Sequence, residues 1–341
     1  NSAIVAFVWI PATYDQHWKI HGEVIYCLKC PGNLESVAQG VKTMSSLEKP
    51  SRRALVTWGL ASAGLPLVSH ALVPMADGEM KPNEIGARIG QTVPVPPGLQ
   101  IFYRDEWFGA PWLKPEPALF LHGNSETSEI WYGWVPRMAQ HFRLFLPDLP
   151  GFGRSTVPSD FEWSLANYAK AVANFLDAMG IESAHIIGAK TGGAIAMQFA
   201  ATYPQRTRTL VVASGPFGPV DPKFENSPQQ IRLGSAASKE EMEYFDKLKD
   251  DTRPETKRGI RTVISSIHLE SLLPRITART LIITSDRSAL QSVETVLHYQ
   301  PKIPNSRLLV LTSDAYHVAV ANAGECVTNV LSFIQETKPP A

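Results

Sequence analysis

The chain is 341 residues long and 44% hydrophobic, with 32 basic and 32 acidic residues. Zero formal net charge excludes the electrostatic footprint of a nucleic-acid binder or of a broad acidic partner. The cysteines, Cys27, Cys30 and Cys326, are too few and too scattered for a disulfide framework. What remains is a globular protein able to bury a full core, whose default partner is a small-molecule substrate.

Residues 1–43 mix aromatics, prolines and histidines without a sustained period of 2 or 3.6 residues, so they are an upstream extension with no assignable fold. Within them His17, His21, Cys27 and Cys30 are residue types that zinc accepts. Their order is reversed and the linker is too short for the usual finger, so the spacing is read as accidental. No metal and no cofactor is implied.

The character changes at Met44. Arg52-Arg53 precede an apolar segment reaching about Val73, with Ser69-His70-Ala71 presenting small residues where a signal peptidase reads. Residues 44–76 resemble a twin-arginine export signal, which implies a native start at Met44 and a periplasmic or exported protein. The apolar run is too short and too rich in Gly and Pro for a stable membrane span.

Residues 77–341 alternate strand-like and helix-like segments. Gly98–Arg104 alternates as a strand, Pro117–Leu121 is a short apolar run before His122-Gly123-Asn124, and Ile130–Phe142 has helical spacing. Arg143–Pro147 leads into Asp148-Leu-Pro-Gly-Phe-Gly-Arg-Ser155, and Phe161–Met179 reads as a helix. His185–Tyr203 reads as strand, Gly-Ala-Lys-Thr-Gly-Gly turn, and helix; Thr209–Ala213 is the next strand. From about 215 to 274 the rhythm breaks into prolines and short charged helical stretches, then resumes at Thr280–Thr284 and Arg307–Leu311 and closes with a helix over Ala321–Gln335. Strands alternating with helices argue a mostly parallel sheet with crossover helices.

Four landmarks in this order, His122-Gly123-Asn124, the Pro147–Ser155 segment, the turn from Gly188 to Gly193 and Asp314-Ala-Tyr-His317, together resemble the α/β-hydrolase superfamily. The resemblance covers about Gly98 to Phe333. It implies an α/β-hydrolase fold, a mostly parallel sheet flanked by helices, with the 215–274 insertion as a small helical cap. It also implies that Gly188-x-Lys190-x-Gly192 is the nucleophile elbow, with lysine where serine is usual. His317 falls on the histidine loop. Ser288 stands at the position of the acid, and Asp286 and Asp314 are the alternative acids. Backbone N–H groups of Asn124 and Thr191 occupy the oxyanion-hole positions.

A helix N-terminus and partial burial both favour a neutral amine at Lys190, which leaves three roles open: nucleophile, proton-transfer group, or a charged clamp for an anionic substrate group. The resemblance therefore implies an enzyme of hydrolase type acting on a carbonyl- or ester-containing small molecule through a Lys/His site, with carbon–carbon cleavage or lyase chemistry open to it. The alternative is a catalytically silent ligand-binding protein on the same scaffold. The export reading has its own test: residues 44–76 fused to a reporter should direct it to the periplasm, and replacing Arg52-Arg53 by Lys-Lys should retain it in the cytoplasm, as fractionation would report.

Overall fold

A computed structural model describes residues 90–336 except 222–223, 225–226 and 249–251, together with the backbone of two short upstream strands. These strands, β1 (Trp18–His21) and β2 (Val24–Cys27), pair antiparallel with Trp18 opposite Cys27. They fall in a compact unit spanning residues 1–79, and the remainder forms a second unit. His17, Cys30 and residues 44–76, read from the sequence as an export signal, lie outside the described residues.

The second unit is built on an eight-stranded sheet. In chain order its strands are β3 (Gln91–Val95), β4 (Leu99–Glu106), β5 (Pro117–Leu121), β6 (Arg143–Pro147), β7 (Ala184–Ala189), β8 (Thr207–Ala213), β9 (Arg279–Ser285) and β10 (Ser306–Leu311). Their spatial order is β10-β9-β8-β7-β5-β6-β4-β3. From β6 to β10 every pairing is parallel, and β4 and β3 add antiparallel pairings at one edge.

The central strands are apolar at successive positions because both faces of the sheet are covered. Leu119 and Leu121 of β5, Ile186 of β7 and Leu210 and Val212 of β8 pack into one core, with helices α2 (Leu165–Ala178) and α3 (Thr191–Thr202). Their neighbours Ala118, Phe120, Ile187, Val211 and Ala213 pack into a second core, with the segment after β5 and the C-terminal helix. Period-two alternation thus divides each strand between two layers of helices.

Helix boundaries differ from the sequence expectation where local chemistry interrupts the spacing. The expected helix Ile130–Phe142 is a 3-10 turn (Ser128–Gly133) followed by the short α1 (Val135–Met138), whose second residue, Pro136, suits a helix start but not an interior. Helix α2 begins after Ser164, whose hydroxyl accepts a hydrogen bond from Asn167 N, so Phe161 and Trp163 precede the helix. Between β8 and β9 the described chain forms α4 (Gln229–Leu233), α5 (Lys239–Lys247) and α6 (Pro254–Ser265) and no strand. α7 (Val293–Tyr299) precedes β10, and the closing helix is divided at Asn322 into α8 (Val318–Ala321) and α9 (Ala323–Gln335).

Phe120 is fully buried, and the rings of Trp131 and Trp134 meet it edge-on with centroids at 5.0 and 5.9 Å. Trp134 Nε1 in turn donates to the carbonyl of Ala319, 2.7 Å away. This cluster joins the strand that ends at His122 to the helix that follows His317. Phe120→Ala is expected to destabilise the protein by about 3–5 kcal/mol, read as a lower urea midpoint with an unchanged denaturant slope.

Candidate active site

β7 runs into α3 through a single residue, Lys190, with φ 51° and ψ −124°. A side-chain-bearing residue reaches that region only under strain of about 1–3 kcal/mol, and such strain is stored where surrounding packing enforces it. Here the enforcement is close approach. A Cβ on Gly192 would lie 2.2 Å from the Leu121 carbonyl oxygen and 2.3 Å from that of His122, so the first turn of α3 meets the end of β5 only because residue 192 is glycine.

The loop after β5 is tied down at several points. His122 is buried; its Nδ1 lies 2.7 Å from Gly123 O, and its Nε2 accepts from Leu149 N at 2.8 Å, so the ring is neutral with the proton on Nδ1. Asp148 accepts from Ser128 N at 2.8 Å and from Arg154 N at 3.0 Å. The fully buried Arg104 pairs with Glu106 at 2.6 Å and with Glu129 at 3.4 Å, and donates to Ser128 O. The landmarks around His122 and Asp148 therefore build the loop. Ser125, at φ 57°, turns it inward and precedes Glu126.

Glu126 is the residue that sequence reasoning missed. Its fully buried carboxylate accepts from Lys190 Nζ at 2.5 Å and from His317 Nε2 at 2.9 Å, both on Oε1, while Oε2 accepts from Gly123 N at 3.0 Å. Lys190 and His317 are thus brought together through a shared acceptor. Lys190 is 6% exposed and His317 is 0% exposed, so the contacts are not diluted by water. A Cβ on Gly123 would lie 2.8 Å from Glu126 Oε2 and 3.0 Å from Lys190 Cβ, so glycine leaves the space that the pair fills.

The charge state follows from these contacts. Burial alone would raise the Glu126 carboxyl, but the fields and hydrogen bonds of His317 and Lys190 outweigh it and hold the carboxyl well below the usual carboxylate range. At His317 burial prevails and pushes the imidazole below its ordinary value, against the pull of Glu126, with Lys190 and Arg232 adding to the push. The arrangement consistent with both is an ammonium on Lys190, a carboxylate on Glu126 and a neutral His317. At Lys190 the 2.5 Å contact with the Glu126 carboxylate favours the ammonium and acts against the helix terminus, which favours the neutral amine.

His317 Nε2 faces an acceptor and so carries the ring proton, which leaves Nδ1 unprotonated. That nitrogen is buried and has no hydrogen-bond partner among the described residues. In a Ser-His-Asp triad the roles are reversed: Nδ1–H is held by the acid and Nε2 takes the nucleophile's proton. Neither alternative acid reaches the ring. Asp286 accepts from Ser313 N at 2.9 Å and pairs with Arg287, and Asp314 accepts from Ser235 N at 2.9 Å. Both are anchors of surface loops. Ser288, at the expected acid position, caps the following turn by accepting from Gln291 N.

Above the cluster lies a cleft lined by Asn124, Lys190, Thr191 and Tyr316, by Leu290, and by Pro216, Val220, Asp221, Phe224, Arg232 and Ile264 of the insertion between β8 and β9. It encloses about 470 Å³ of empty space with its mouth included. Thr191 Oγ1 donates to Asn124 Oδ1 at 3.3 Å, joining the two loops. As the first residue of α3, Thr191 has a backbone N–H with no acceptor inside the helix. His317 N donates to Arg232 O at 2.9 Å, which ties α4 to the histidine loop. Among the described residues no group of three or more His, Cys, Asp or Glu could hold a metal ion, and no helix is long and apolar enough to cross a membrane.

Residues 117–243 match the family described as alpha/beta hydrolase fold. The pimeloyl-[acyl-carrier protein] methyl ester esterase of Aeromonas hydrophila is 39% identical over 99 residues, 29% of this chain and 37% of that protein. The 2-hydroxy-6-oxo-6-phenylhexa-2,4-dienoate hydrolase of Burkholderia cepacia is 39% identical over 108 residues, 30% of this chain and again 37% of the relative. The match thus spans little more than a third of each of these curated relatives. Among solved structures, the enol-lactonase of Burkholderia xenovorans LB400 superposes with a TM-score of 0.65 at 15% identity, covering 72% of this chain and all of that one. A hydrolase from Pseudomonas aeruginosa PA01 superposes with a TM-score of 0.63 at 21% identity, covering 73% and 99%.

The buried cluster makes stability depend on pH with a definite sign. For both Glu126 and His317 the folded-state value lies below the unfolded one, so on acidification the unfolded chain binds protons first. Their contribution is full above the ordinary histidine value of about 6.5 and is lost as pH falls, through His317 first and then through Glu126 below about 4.3. Urea unfolding between pH 8 and about pH 3 should show this decline, and Glu126→Gln should remove the part of it below about pH 4.3. Glu126→Ala, which strands the Lys190 charge, should cost about 3–5 kcal/mol at neutral pH.

Proposed function

We infer that this chain, which has the α/β-hydrolase fold, is an enzyme of hydrolase type that acts on a carbonyl- or ester-containing small molecule through Lys190, Glu126 and His317. The observation that carries this reading is the shared Glu126 oxygen, which holds the elbow lysine and the loop histidine in one buried cluster beside Asn124 and Thr191. The hydrolase relatives and the mixed polar and apolar cleft support it.

The geometry favours one of the three roles left open for Lys190. A protonated amine has no lone pair, so it neither attacks a carbonyl nor forms a Schiff base. It is a strong hydrogen-bond donor. Lys190 donates to the substrate carbonyl oxygen, and the backbone N–H groups of Asn124 and Thr191 share the charge that develops there as water adds to the carbon. Glu126 keeps the ammonium in place and charged, and His317 keeps Glu126 in place. An acyl-enzyme is not part of this route, since an acyl-lysine is an amide and hydrolyses slowly. As the water oxygen bonds to the carbonyl carbon and the bond to the leaving group breaks, the leaving alkoxide or carbanion takes up a proton from Lys190, which the amine recovers from the added water, so carbon–carbon cleavage remains within its range.

One observation favours the second reading, a silent ligand-binding protein: His317 carries its proton on the nitrogen that a triad needs free, and its other nitrogen has no carboxylate. A panel of esters, lactones and ketones separates the two. Turnover is expected for at least one class, and Lys190→Met should lower its kcat by about 10²–10³-fold. Borohydride added with a ketone substrate should leave Lys190 unmodified by mass spectrometry; a trapped adduct would overturn the donor role, and no turnover across the panel would favour the binding protein. We also propose that the chain is exported, on the strength of Arg52-Arg53 and the apolar segment after them.

A further inference from the structure

The described groups in and beneath the cleft carry two cations, Lys190 and Arg232, and two anions, Glu126 and Asp221. We propose that this charge-balanced cleft selects an uncharged carbonyl compound and discriminates against carboxylates, so that the substrate is a neutral ester, lactone, amide or ketone with an apolar body. The proposal rests on the functional reading above for the word substrate, and deepens it by naming the class.

The argument starts from the pair at the elbow. An unpaired lysine there would be an anion site, and its ammonium would draw a substrate carboxylate to the oxyanion donors. Glu126 has taken that place. Its carboxylate already holds the positions that an incoming anion would use: Lys190 Nζ at 2.5 Å, His317 Nε2 at 2.9 Å and Gly123 N at 3.0 Å. These are the contacts of a bound carboxylate, made by the protein's own side chain. The loop that carries it is braced by His122, Asp148 and Arg104, so it is built to stay.

A substrate carboxylate above Lys190 would therefore place a second negative charge a few ångströms from Glu126 with one ammonium between them. In a buried setting that repulsion amounts to on the order of ten- to a hundredfold in affinity. A neutral carbonyl oxygen meets no such repulsion and still accepts from Lys190. The rest of the lining agrees: Pro216, Val220, Phe224, Ile264 and Leu290 offer apolar contact. Arg232 enters from α4 with Asp221, a residue of the opposite charge, lining the same cleft.

Benzamide and benzoate, nearly the same in shape and differing in charge, test this by calorimetric titration of the full chain at pH 7.5. Benzamide should bind at least tenfold more tightly. Glu126→Gln should reverse the preference, because Lys190 then faces the cleft as an unopposed cation. Asp221→Asn, which leaves the buried cluster intact, should move the ratio several-fold towards benzoate and keeps the test in force where Glu126→Gln does not fold. Equal or tighter binding of benzoate by the unmodified chain, a ratio that neither variant moves, or no binding of either compound would overturn the proposal. Because titration needs no turnover, neutral-ligand selectivity in a chain that converts nothing would sink the catalytic reading and leave this one standing.

Discussion

The site depends on one carboxylate with no access to water. Taking a single ion into a protein interior costs several kcal/mol after relaxation, so a buried charge persists only when it is paired and its remaining lone pairs are satisfied. Glu126 meets both conditions through Lys190, His317 and the Gly123 N–H. Each partner is fixed independently, Lys190 by the strained turn between β7 and α3, His317 by its backbone hydrogen bond to Arg232 of α4, and Gly123 by the loop that His122 and Asp148 brace. The fold thus supplies three donors whose positions converge, and the acid that answers them comes from a different strand than in a triad hydrolase.

The negative charge at this site sits on the loop after β5, where Glu126 meets Lys190 and His317, while Ser288, after β9, accepts only from Gln291 N. An acid brought to the ring would add a second carboxylate to a histidine that already donates to one, opposing the burial that lowers the imidazole. The backbone N–H groups of Asn124 and Thr191, which border the same cleft, are set by turn geometry rather than by side-chain identity.

The architecture was legible because burial on both faces writes itself as apolar runs: β5, β7, β8 and β9 fall within a residue or two of the segments read from sequence. Helix ends were less so, since Pro136, Ser164 and Asn322 act through local hydrogen bonding that periodicity does not register. Lys190 and His317 could be found from the landmarks around them. Glu126 could not, being 64 residues from Lys190 and 191 from His317, in a loop where acids are ordinarily solvated. A signal was present all the same. An acid four residues after His122, on the loop that faces the turn at Lys190, lies where chain geometry can bring a carboxylate to that lysine.

The space at Gly123 has a consequence for how such a site changes over time. A Cβ there would press on both Glu126 and Lys190, so the glycine is matched to the pair and not to either member alone. Serine at 190 by itself would leave the Glu126 charge buried with its cation gone, and an uncharged residue at 126 by itself would leave the ammonium in the same position. The two substitutions are strongly coupled, each harmful on its own background and far less so together.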